Sequence, residues 1–95
     1  MPEYNILIDE LRRFCGNRSE LSGEWADWQT HWNVEPHHFN KRTGARLLNP
    51  FGIIMLTRTE HDIQEGKIKG RKYSKEELEA IVKPLRISQG YKEEG

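Results

Sequence analysis

Apolar residues recur at helical spacing near both ends of the chain and bunch into short extended runs in its middle. Tyr4, Ile6, Leu7, Leu11 and Phe14 fall at roughly helical intervals, with Asp9, Glu10, Arg12 and Arg13 among the polar positions. Pro2 stands where a helix can begin, and Gly16-Asn17 where one stops, so the pattern predicts an amphipathic helix over residues 3–15. Trp25, Trp28 and Trp32 repeat at i, i+3 and i+7, one face of a helix, and are expected in the core. Residues 33–39 predict a short strand whose Pro36 confines it to an edge or a strand end. Residues 40–51 contain Gly44, Asn49 and Pro50 and predict a loop, and the apolar run at 52–56 predicts a second strand.

The polar turn that follows predicts a short helix carrying His61, capped by Thr57 or Thr59 and ended by Gly66. After a basic connector over residues 67–73, Ser74 and Glu77 have the spacing of a capping box. Leu78, Ile81, Val82 and Leu85 then mark a helix over about 75–89, which Pro84 is expected to kink or split. These elements predict one α+β domain spanning residues 1–95, with a core at 33–66 and helices flanking it on both sides.

Composition sharpens this picture at three points. Hydrophobic residues are 35% and charged residues 32% of 95, so the core is thin, and a domain this small gains from a metal site or a dimer interface. The net charge is zero, yet residues 37–72 hold eight basic side chains against three acidic ones, a local +5 that can face a polyanion. The single cysteine, Cys15, excludes an internal disulfide and a CxxC zinc ribbon, and is expected to pack as a small apolar residue. With no run near the ~20 apolar residues of a membrane span and no signal-peptide layout, the expectation is a cytoplasmic protein with no membrane partner.

The central segment carries the candidate chemistry. His61 and Glu65 are i and i+4, so both side chains, with Gln64 at i+3, lie on one helix face. His37 can join them from the strand end as a third ligand to one divalent ion, and the mixed donor set suits Mg²⁺, Mn²⁺, Ni²⁺ or Zn²⁺ without choosing among them. His38 is then left to act as general base, an imidazole being substantially neutral near pH 7. Neighbours on a strand point to opposite faces, so His37 and His38 share a site only if the strand ends or bulges between them. Arg42, in the loop after the histidine pair, is placed to meet a phosphate bidentately. Arg46, Arg58, Lys67, Lys69 and Arg71 are candidates for nucleic-acid backbone contacts.

Residues 37–65, with His37-His38, an apolar strand and then His61, resemble the HNH endonucleases, the ββα-metal nucleases. The resemblance implies a ββα-metal core and metal-dependent hydrolysis of DNA phosphodiesters. It implies that His37, His61 and Glu65 are metal ligands and that His38 is the general base. The chain departs from the pattern at Gly52, where members usually carry an asparagine that bonds across the loop and holds the base. Asn49 is the candidate replacement. Two other classes of function stay open on the residues alone: a DNA-binding module that keeps the fold without cleaving, and a small partner-binding scaffold with the tryptophans as its interface. Dimerisation, or association with another DNA-processing protein, would account for a double-strand cut and for the lack of an evident specificity domain.

Overall fold

Every side chain of residues 53–56 is buried, and the rest of the fold is arranged around that strand. The computed structural model describes residues 2–26, 33–40 and 48–93. In chain order it contains α1 (Pro2–Cys15), β1 (Glu35–His38), a 3-10 turn (Pro50–Gly52), β2 (Ile53–Leu56), α2 (Arg58–Gln64) and α3 (Lys75–Ser88). The protein is therefore a small α+β domain whose two strands pair antiparallel, with Glu35 opposite Leu56 and His38 opposite Ile53.

Strand β2 reads as a continuous apolar run because both of its faces are covered. Ile53 and Met55 point one way and pack with Ile8 and Leu11 of α1 and with Val34. Ile54 and Leu56 point the other way, against Leu78 and Val82 of α3. Each such buried aliphatic side chain stabilises the fold by about 2 kcal/mol. Losing one therefore removes a large part of the margin a domain of this size has.

The first helix forms where its sequence predicts, but its buried face is rotated from the expected one. Ile8 and Leu11 are buried, while Ile6 is 65% exposed and Phe14 lies at the rim, its ring edge-on to Tyr91. The tryptophan stripe is corrected at its first member. Trp25 is 62% exposed, pairs by an isolated bridge with Arg18, and stacks under that guanidinium at 4.1 Å. Trp28, Trp32 and His31 lie outside the described residues.

Both later helices start on capping boxes, Thr57 with Glu60 for α2 and Ser74 with Glu77 for α3. Of the two expected outcomes at Pro84, a split does not occur: α3 runs unbroken through it. Anchors on either side of it, Leu78 and Val82 before and Arg86 after, are all buried and hold the helix through the missing amide.

The edge of β2 that faces away from β1 is closed by a charge pair. Met55 N–H donates to Oε1 of Glu20 (2.8 Å), Glu20 N–H donates to Met55 O (2.9 Å), and Nη2 of Arg86 donates to Ile53 O (2.9 Å). Arg86 and Glu20 meet through two short bonds, 2.6 and 2.7 Å, with the guanidinium fully buried. A buried strand edge leaves donors and acceptors that need partners. Here one carboxylate and one guanidinium meet them, and in doing so tie α3 and the 19–22 turn to the sheet. Cys15 packs against the α1 side of the core, and burial, then the charge of Glu20, pushes its thiol above the ordinary value.

Candidate metal centre

The register of β1 decides which side chains can meet. Residues directly opposite in an antiparallel pair share a face, so Glu35 and His37 lie on the side of Leu56 and Ile54. Helix α2 leaves β2 after a single residue, Thr57, and carries His61 back over that same face. The His37 and His61 rings stand edge to face with centroids 5.3 Å apart. One turn further on, Oε2 of Glu65 is 3.5 Å from Nε2 of His61.

Ligand atoms of His37, His61 and Glu65 all lie within 4.8 Å of one another. Two donors on one tetrahedral ion with bonds near 2.1 Å sit about 3.4 Å apart. The His61 and Glu65 pair already has that spacing, and a ring nitrogen of His37 lies within 4.8 Å of both. Two imidazoles and one carboxylate form a donor set that fits a borderline divalent ion and leaves coordination positions open.

The charges around the cluster keep its carboxylates ionised. Glu65 is held below the ordinary carboxylate value chiefly by His61, with Lys67 assisting against partial desolvation. For Glu35, burial acts upward, but hydrogen bonds from His61 and Arg58 outweigh it, and the net direction is down. Oε1 of Glu35 accepts from Nδ1 of His61 at 2.8 Å and from Nη1 of Arg58 at 3.0 Å.

The structure does not bring His38 into this cluster. Pairing runs regularly through β1 and on to Phe39, whose N–H donates to Gly52 O at 3.0 Å, so the strand neither ends nor bulges between the two histidines. His38 is opposite Ile53 and faces α1, where its ring stacks on Tyr4 (centroids 5.6 Å, 21°) and its Nε2 lies 3.2 Å from the tyrosine hydroxyl. Gln64 is also turned away from the cluster. Its side chain brackets Tyr73, donating to the carbonyl (2.6 Å) and accepting from the amide (3.0 Å), and so ties together the two ends of the 65–72 loop.

Oδ1 of Asn49 accepts from Phe51 N–H at 3.0 Å and caps the 3-10 turn, while residues 41–47 of the loop lie outside the described residues. Asn40 lies over Gly52, so close that a Cβ on residue 52 would fall 2.6 Å from its Nδ2.

Among the basic candidates, Arg58 is bound to Glu35 at 3.0 Å and lies 3.4 Å from Asp62, which makes it an internal brace. Arg71 pairs with Glu77 at 3.0 Å and stacks over Tyr73. Lys67 is 57% exposed beside Glu65, and Lys69 is exposed in the same loop. Arg42 and Arg46 lie outside the described residues.

Sequence reasoning missed Glu35, Tyr4 and Asn40. A signal for Glu35 was present, since it stands two residues before His37 and alternation puts both on one face. Tyr4 and Asn40 had none, because their partners are set by how α1 and the second strand dock. No helix among the described residues is long and apolar enough to cross a membrane. No family model, curated protein or solved structure matches the chain.

Proposed function

We propose that this chain is a metal-dependent DNA endonuclease of the HNH kind. The observation that carries the reading is the convergence of His37 with His61 and Glu65 within 4.8 Å, across an antiparallel strand pair followed directly by a helix. That strand, strand, helix order is what the resemblance implies for a ββα-metal core. A divalent ion bound there supplies a Lewis acid and lowers the pKa of water for attack on a phosphodiester.

The chain's own residues bind and orient. His37, His61 and Glu65 would hold the ion, and the basic 66–72 loop follows Glu65 directly, with Lys67 Nζ 3.4 Å from its Oε1. That loop carries four basic residues and no acidic one, and its ends are pinned by the Gln64 and Tyr73 bonds. A pinned basic loop meets a phosphate backbone with little further ordering cost. His38 is the proposed base, which requires its ring to reach the reacting phosphate from the face of β1 opposite the metal ligands.

A second reading, a DNA-binding module that does not cleave, is favoured by the contact of His38 with Tyr4 and by Gly52. Both readings are tested by incubating supercoiled plasmid with wild type and with His61→Ala, each with Mg²⁺, Mn²⁺, Ni²⁺ or Zn²⁺ over a series of salt concentrations. Nicking by wild type alone, weakening steeply with salt through counterion release, supports the endonuclease. Salt-sensitive DNA binding without nicking supports the module. Nicking that survives His61→Ala removes the proposed centre.

A further inference from the structure

The geometry points to Glu35 as a positioning residue of the metal centre, setting the tautomer and direction of His61; the inference rests on the metal-binding part of the reading above. An ionised carboxylate only accepts, so the 2.8 Å contact between its Oε1 and Nδ1 of His61 requires the ring proton on Nδ1. In the neutral ring, the form able to bind a metal, the lone pair is then on Nε2, the nitrogen 3.5 Å from Glu65 and on the side of the candidate ion. Left to itself a neutral imidazole carries its proton mainly on Nε2, which would turn a donor rather than a ligand toward Glu65.

Glu35 is itself held. Nη1 of Arg58 donates to the same Oε1 at 3.0 Å, and Nε of Arg58 lies 3.4 Å from Asp62, one turn along α2. Asp62, Arg58, Glu35 and His61 thus form one chain of contacts between β1 and α2. Three of its four members come from the helix that carries the metal-binding histidine and carboxylate. The ring of His61 is mostly buried, its side chain 15% exposed, which restricts its reorientation. Partners of this kind commonly change metal affinity by about 10- to 100-fold when removed.

A plain ion pair joining β1 to α2 would use the same residues, so the test reads quantities such a pair does not control. Long-range ¹H–¹⁵N correlation on the metal-free wild type, at a pH where the ring is neutral, should show His61 as the Nδ1–H tautomer. Calorimetric titration with Zn²⁺ and with Mn²⁺ should show Glu35→Ala binding about 10- to 100-fold more weakly than wild type. Glu35→Gln keeps an accepting oxygen and should recover most of that loss, with His61 still in the Nδ1–H form. Circular dichroism melting of both variants controls for folding, and the wild-type tautomer needs no variant. An Nε2–H tautomer in wild type, or Glu35→Ala binding Zn²⁺ as tightly as wild type, overturns the assignment of Glu35. Failure of wild type to bind either metal overturns the centre and this role together. Metal binding without plasmid nicking removes only the nuclease reading and leaves Glu35 in place.

Discussion

His37 and His38 are consecutive in the chain and stand on opposite faces of a two-stranded sheet, one against His61 and the other against Tyr4. Their roles are therefore separable by substitution. His37→Ala should abolish tight binding of a divalent ion, whereas His38→Ala should leave metal affinity nearly intact. If His38 is the base, its removal lowers turnover by about 10²- to 10⁴-fold. Tyr4→Phe, which removes the hydroxyl from Nε2, should keep or raise turnover. Single-turnover plasmid cleavage at matched metal occupancy reads both effects, and wild-type cleavage by His38→Ala would take His38 out of the mechanism.

Gly52 is buried under Asn40, so a side chain at position 52 presses on that asparagine. Gly52→Ala brings a methyl within 2.6 Å of the amide nitrogen and 3.2 Å of the Cβ of Asn40. Overpacking of this kind costs about 1–3 kcal/mol. Gly52→Asn, the residue the resemblance expects, should be at least as costly, and Asn40→Ala should relieve much of either penalty. Urea denaturation of the single and double variants measures the coupling. Strict additivity would show that the two residues do not compete for the same space.

Arg86→Ala leaves the Glu20 carboxylate buried and unpaired, which typically costs about 3–5 kcal/mol. That is a large share of the roughly 5–15 kcal/mol available to a small domain. Replacing a buried ion pair by two apolar residues is often neutral, but here the edge of β2 would keep an unmet Met55 N–H and Ile53 O. The double change Arg86→Met with Glu20→Leu should therefore stay clearly below wild type in urea midpoint. Recovery to the wild-type midpoint would show that the pair does not close the strand edge.

Glu77 gives an acid-linked term at the start of α3. Its carboxyl accepts from Ser74 N–H and from Arg71, each at 3.0 Å. The bond from Ser74, then the Arg71 charge, hold it below its ordinary value of 4.5, against some desolvation. A folded value below the unfolded one means this contribution is complete above that ordinary value. It is lost as pH falls through the lowered one. Glu77→Gln should keep the cap, since an amide oxygen also reaches the N-cap amide, while removing this pH-dependent step. Carboxyl chemical-shift titration of wild type, with melting of both proteins across the acid range, checks the sign.

What the sequence determined by itself is local. The Ser74 capping box, a threonine cap on α2, the apolar run of β2, the span of α1 and the shared face of His61 and Glu65 depend on residues within a few positions of one another. Periodicity and hydrogen-bond chemistry suffice for them. Strand alternation also raised the problem of His37 and His38, and the unbroken pairing of β1 decided it. Tertiary structure alone decided the rest. Arg86 meets Glu20 across 66 positions of the chain, Glu35 meets His61 across 26, and Tyr4 meets His38 across 34. Trp25 is exposed despite its apolar spacing because α1 and α3 already cover both faces of β2. No spacing rule reaches that far, since such contacts exist only once the buried strand has gathered its helices and left particular polar groups facing each other out of water.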